Sequence, residues 1–182
     1  MFKVKALLNI DYTVDFVVGA LPCGGPAIQI EEEIVRITKE FADNGDYVVF
    51  PIDLHFENDK YHPEAKLYPP HNIVGTKGRE FYGKLKSLYE EIKNYSNVYY
   101  MNKTRYSAFS GTDLEIKLRE RGITEVHVVG VATDICLLHT IVDLYSKGFH
   151  IVVHEKATAS FNQDGHKWAI EHFKNALNAE IV

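Results

Sequence analysis

The sequence predicts an α/β fold: a three-layer α/β/α sandwich around a mainly parallel sheet of six strands. Three observations carry that expectation. Runs such as VVFPI and VHVVGV are apolar without alternation, as strands buried on both faces must be. Helix-period stretches lie between successive runs, the order that gives βαβ units and parallel strands. A chain of 182 residues, 46% of them hydrophobic, can fill one core but hardly two, so a single domain over 1–182 is expected.

Taken in order, residues 5–11 form a leucine-rich strand that ends at the carboxylate of Asp11. Gly and Pro then turn the chain into an amphipathic helix over 27–44, stopped by Gly45. Residues 47–53 read as the second strand, and a long segment over 54–78 follows without convincing periodicity. Connections of that length in a compact domain are usually functional or disordered, and the His, Pro and aromatic content favours function. Next come a helix over 79–93, a strand over 98–102, a helix over 112–121 closed by Gly122 and a strand over 125–131. A helix over 135–147 closed by Gly148, a strand over 149–154, a helix over 166–177 and a short strand over 179–182 complete the pattern.

The net charge of −5 is spread along the chain without a basic block, so neither nucleic acid nor an anionic membrane is an expected partner. No apolar run approaches the roughly 18 residues of a membrane span. The N-terminal stretch reaches an aspartate too soon for a signal peptide, and a cytoplasmic protein is expected. Two cysteines, Cys23 in a Pro/Gly-rich turn and Cys136 in a dense motif, give no disulfide framework.

In open parallel sheets, ligands bind in the crevice outside the carboxyl ends of the strands. The unusual residues fall there: Asp11 ends the first strand, Asp53 and His55 end the second, Lys103 follows the third and Cys136 lies just beyond the fourth. Singly, each has an ordinary explanation as a cap, a solvated surface group or a small buried side chain. Four consecutive strand ends aimed at one crevice do not. In GVATDIC, a helix capped by Thr133 or Asp134 puts Cys136 in its first turn, where the dipole favours a thiolate and free N–H groups can hold an oxyanion. Asp11 suits the proton-transfer role if burial raises its pKa, with Lys103 offsetting the charge. Lysine would take that role only if its own pKa were strongly lowered.

Asp53-Leu54-His55 places two metal-ligand types at i and i+2, on one side of an extended strand. His62, Glu64 and His71 follow along the loop. A mixed carboxylate and imidazole set suits a divalent transition metal, with zinc the first choice and iron or manganese as alternatives. Asp53, His55 and His71 are the firmer ligands, and the residues leave Glu64 and His62 open for a further position.

KALLNIDYTVDF, DLH, YPPHNIVGTKGRE, NKTRYSAFSGTDLEIKLRERGI and VHVVGVATDIC together resemble the nicotinamidase branch of the isochorismatase-like hydrolases, over nearly the whole chain. The resemblance implies a small-molecule substrate, nicotinamide, hydrolysed to nicotinate and ammonia in NAD salvage, with pyrazinamide as a second substrate. It implies Cys136 as nucleophile, Asp11 as acid/base and Lys103 as the third catalytic member. Ala132 and Cys136 match the oxyanion donors, Val131–Ala132 matches a cis peptide, and Phe16, Tyr68 and Tyr106 match walls around the substrate ring. It favours Glu64 over His62 beside Asp53, His55 and His71 in a one-metal site that takes the ring nitrogen. Homo-oligomerisation stays open. The opening departs from the family's Asp-x-Gln-Asn-Asp-Phe, reading Asp11-Tyr12-Thr13-Val14-Asp15-Phe16. Two rivals remain at this level: a related cysteine amidase acting on ureido or carbamoyl compounds, and a non-catalytic nucleotide-binding or metal-sensing module. Gly24-Gly25 lacks the G-x-G-x-x-G spacing that a dinucleotide site needs.

Overall fold

The computed structural model describes residues 5–182; residues 1–4, part of the apolar N-terminal stretch, lie outside the described residues. Among the described residues, six strands form one sheet in the order β3-β2-β1-β4-β5-β6, and every neighbouring pair is parallel. They are β1 (Ala6–Ile10), β2 (Tyr47–Asp53), β3 (Val98–Lys103), β4 (Glu125–Val131), β5 (His150–Ala159) and β6 (Glu180–Ile181). Every residue of β1 and β2 is buried, as their unbroken apolar runs require. Alternate side chains serve opposite layers. Ala6, Leu8 and Ile10 join one core with α5 (Leu114–Glu120), α6 (Leu138–Ser146) and α7 (Gln163–Ala176). Leu7, Val48, Phe50 and Ile52 join the other, with α3 (Glu31–Asp43) and α4 (Gly83–Ile92). The expected three-layer sandwich is the observed one. No helix among the described residues is long and apolar enough to cross a membrane.

Several boundaries differ from the sequence reading, for physical reasons. A single turn, α1 (Val14–Val17), follows β1, and the helix expected over 27–44 is two helices, α2 (Gly25–Gln29) and α3, broken where the Ile30 N–H bonds to the Ile28 carbonyl. The helix expected over 79–93 begins only at Gly83. Residues 80–82 are instead held by the chain leaving β1: the Val14 N–H donates to the Glu80 carbonyl at 2.9 Å and the Tyr82 N–H to the Tyr12 carbonyl at 3.2 Å. Such a tertiary pairing has no local signature. The strand expected over 98–102 extends one residue, so Lys103 closes β3 instead of following it. The helix of 112–121 shrinks to α5, and the one over 166–177 starts earlier, because the Asn162 side chain accepts the Gly165 N–H and caps α7. β5 runs past 154 to Ala159 through a register shift opposite Val128 and Gly130. The helix expected over 135–147 is a π-type turn over Thr133–Leu137 that leads into α6.

Gly130 shows why β1 and β4 can approach so closely. It has φ +119°, and a Cβ there would fall 2.0 Å from the Ile10 carbonyl oxygen. Only glycine fits, and the approach sets the exits of β1 and β4 side by side.

Candidate active site and metal centre

Asp11 leaves β1 with φ 57°, a left-handed conformation that is uncommon for a residue with a side chain. Its carboxylate is fully buried, accepts the Asp53 backbone N–H at 2.8 Å through Oδ1, and forms an ion pair with the Lys103 ammonium, 2.8 Å from Oδ2. Lys103, at the end of β3, is 1% exposed. Its Nζ also reaches the Arg105 carbonyl at 3.2 Å, Asp53 Oδ1 at 3.4 Å and Cys136 Sγ at 3.5 Å. The sulfur, carboxylate and ammonium that the sequence placed at separate strand ends are brought together.

Their protonation follows from burial and mutual charge. Burial raises the Asp11 carboxyl to about 6 against the pull of Lys103. Burial alone would neutralise Lys103, but Asp11 and Asp53 outweigh it and hold the ammonium well above its ordinary range. A lysine held in that state is a poor proton acceptor, which removes the reversed assignment. Burial pushes the Cys136 thiol well above its ordinary value, with Lys103 opposing. The expected dipole-stabilised thiolate is therefore corrected. The element holding Cys136 is a π-type turn whose cap is Ala132, not Thr133 or Asp134, and its thiol is buried. The same turn orders the backbone donors: the Ile135 and Leu137 N–H groups both bond to the Ala132 carbonyl, at 3.1 and 3.2 Å, and the Val131–Ala132 peptide is cis. Ser160 Oγ donates to Asp134 Oδ1 at 2.6 Å and ties the turn to the end of β5.

Asp53, His55, Glu64 and His71 offer four buried ligand atoms that lie within 4.8 Å of one another. The His71 ring donates from Nδ1 to the Pro69 carbonyl at 2.8 Å, which leaves Nε2 as a lone-pair donor facing the cluster. That Nε2 is buried without a hydrogen-bond partner, 3.5 Å from both Asp53 Oδ2 and Glu64 Oε2. Burial lowers the His71 pKa, yet without a bound cation the two carboxylates override it and raise it to about 10, so a proton takes the Nε2 position that a metal would occupy. Two carboxylates and a second imidazole around the orphaned His71 nitrogen thus demand positive charge, and a divalent cation fits the set. His62 is committed elsewhere. Its Nε2 donates to the Thr104 carbonyl at 2.8 Å and its Nδ1 accepts the Glu64 N–H at 3.2 Å, so it orients Glu64.

Between the metal cluster and Cys136 lies a narrow chamber lined by Phe16, Glu64, Tyr68, Tyr106, Ala132 and Cys136. Phe16 and Tyr68 meet the His71 ring edge-on, with centroids 5.2 and 6.2 Å away. Leu21, Cys23, Ile135 and Phe161 complete the lining and were missed in the sequence. Phe161 alone had a usable signal, since it follows the carboxyl end of β5, where ligands of open sheets gather.

The isochorismatase domain family matches residues 5–182. The isochorismatase family protein PncA of Bacillus subtilis strain 168 is 62% identical over 180 residues, covering 98% of each chain. The crystal structure of nicotinamidase/pyrazinamidase PncA from Bacillus subtilis superposes with a TM-score of 0.97 at 60% identity, over 98% of this chain and 99% of that one. The pyrazinamidase of Pyrococcus horikoshii, solved in complex with zinc, gives a TM-score of 0.85 at 27% identity over 98% of both chains. Sequence, fold and comparisons agree, and the chain belongs to the isochorismatase family.

Proposed function

We propose that this single-domain chain is a cytoplasmic nicotinamidase that hydrolyses nicotinamide to nicotinate and ammonia in NAD salvage, and takes pyrazinamide as a second substrate. The observation that carries the reading is the Asp11–Lys103–Cys136 cluster opening on a narrow aromatic chamber beside Asp53, His55, Glu64 and His71. A flat heterocycle suits walls made by Phe16, Tyr68 and Tyr106. Asp53, His55, Glu64 and His71 would hold the metal, zinc by preference for this donor set. When bound, it supplies a Lewis acid for the lone pair of the ring nitrogen.

Asp11 takes the thiol proton as Cys136 Sγ bonds to the carboxamide carbon. The Ala132 and Cys136 N–H groups hold the resulting oxyanion. Asp11 then gives its proton to the amide nitrogen, the C–N bond breaks and ammonia leaves a thioester on Cys136. Water enters, loses a proton to Asp11 and attacks the thioester carbon. The C–S bond breaks, nicotinic acid forms and releases its acidic proton to solvent, and Asp11 returns its proton to the sulfur. Lys103 stays charged throughout and balances whichever of Asp11 and Cys136 is anionic.

Ammonia release from nicotinamide, measured beside a carbamoyl substrate, tests the reading. Cys136→Ala should abolish release while bound metal is retained, and turnover of the carbamoyl compound in preference to nicotinamide would replace the substrate assignment.

A further inference from the structure

The turn over Lys77–Arg79 takes no part in these steps, yet it and the residues that follow it touch the segments that carry Asp11, Asp53, Lys103 and His71. Arg79 Nε donates to the Asp53 carbonyl at 2.7 Å, and one terminal nitrogen donates to the Ile52 carbonyl at 3.2 Å and to Asn102 Oδ1 at 2.6 Å. Its guanidinium lies 5.7 Å from the centre of the Tyr100 ring. These partners are the last residues of β2 and the penultimate residue of β3, directly before Lys103. The residues that follow grip the exit of β1 through the Thr13–Phe81 bridge and the backbone bonds of Glu80 and Tyr82 described above. On the preceding side, a Cβ at Gly78 would fall 2.2 Å from Asp15 Oδ2, the atom that accepts the Asn72 N–H at 2.8 Å beside His71. One short turn therefore meets the segments that end in Asp11, Asp53, Lys103 and His71.

We propose that Arg79 is a positioning residue: it clamps the ends of β2 and β3 in register, and so sets both the cation affinity of the Asp53 cluster and the alignment of Lys103 with Asp11. A planar fork with several donors can bridge two carbonyls and an amide oxygen at once, which a lysine ammonium on a flexible stem cannot hold in the same geometry. Arg79 bonds only to backbone and to Asn102, so it acts through Asp53 and Lys103 and not on the substrate.

The inference rests on the proposed metal site, and its activity arm also rests on the nicotinamidase reading. Zn²⁺ affinity is measured by chelator competition, and KM and kcat for nicotinamide separately, well below the melting temperature, in Arg79→Ala, Arg79→Lys and Asn102→Leu. Arg79→Ala is expected to weaken Zn²⁺ by about 10–100-fold, the range seen when hydrogen bonds that support metal ligands are lost, and to lower kcat in parallel. Arg79→Lys should recover only a minor part, added guanidinium ion should restore some affinity to Arg79→Ala, and Asn102→Leu should show a smaller loss. Zn²⁺ affinity and kcat that stay within about twofold of the parent while the melting temperature falls would make Arg79 merely structural and overturn the proposal. A loss that guanidinium does not reverse at all would do the same. If Arg79→Ala fails to fold, Asn102→Leu decides, and unchanged Zn²⁺ affinity there overturns the proposal. A parent protein that binds Zn²⁺ but releases no ammonia from nicotinamide would sink the function while leaving the affinity arm intact.

Discussion

At the carboxyl ends of β1, β2 and β3, formal charges on Asp11, Asp53 and Lys103 are buried in direct contact, whereas away from that crevice a half-buried polar pair on β4 and β5 carries none. There His127 Nδ1 lies 2.8 Å from His154 Nε2, Glu125 Oε1 lies 3.0 Å from His127 Nε2, and Phe41 of α3 packs on the His127 ring with centroids 4.9 Å apart. Burial lowers His127, and burial together with His127 lowers His154 to about 4. The same sheet thus keeps imidazoles neutral at one end and an ammonium charged at the other. The difference lies in the partners: two buried carboxylates outweigh the desolvation of Lys103, while at His154 the neighbouring His127 and Arg36 add to burial and Glu33 does not outweigh them.

Substitutions test that contrast, beginning with the largest expected effect. Asp11→Asn keeps the shape but cannot accept the thiol proton, and kcat for ammonia release should fall by roughly 10²–10⁴-fold. Activity near that of the parent would mean that the charged cluster is not the catalytic one. Lys103→Met leaves Asp11 and Asp53 buried without their cation, and urea denaturation should show a loss of about 3–5 kcal/mol. An unchanged midpoint would erase the distinction between the two ends. Asp53→Ala should strip the metal, with affinity falling beyond the roughly 100-fold upper end seen for lost supporting bonds; metal analysis after gel filtration reads this out, and full occupancy would refute the ligand set.

The smallest effect belongs to the neutral pair. The folded pKa of His154, about 4, lies below the ordinary histidine value of 6.5, so its contribution to stability is present above 6.5 and is lost as pH falls towards 4. His154→Phe should therefore flatten the fall in melting temperature between those two pH values. The gain at the acid end should be about 1 kcal/mol, because the pair is partly solvated and screening reduces the full shift. A mutant whose pH profile matches the parent's would show that the pair does not titrate with folding.

The sheet was legible in the sequence because uninterrupted apolar runs have few alternatives, and those of β1 and β2 lead directly into Asp11 and Asp53, which the structure places in the crevice. Glu64 came from resemblance, since its choice over His62 depends on the hydrogen bond from His62 to the Thr104 carbonyl, made across 42 positions. The boundary at Gly83 was hidden for a similar reason, because residues 80–82 are taken from a plausible helix by pairing with residues 12–14. Least legible was the state of Cys136. Position within a helical turn suggested a thiolate, but burial, with the Asp11 and Asp53 carboxylates beside the sulfur, shifts the balance towards the thiol. Local spacing names the reactive atom, while burial sets its charge.

The central claim is that an acyl group passes through the Cys136 sulfur, and trapping with hydroxylamine tests it most directly. With nicotinamide and hydroxylamine together, the parent protein should form nicotinohydroxamate in competition with nicotinate, in step with ammonia release, and Cys136→Ala should form neither. Ammonia released without hydroxamate, or hydroxamate formed by Cys136→Ala, would contradict a thioester on that residue.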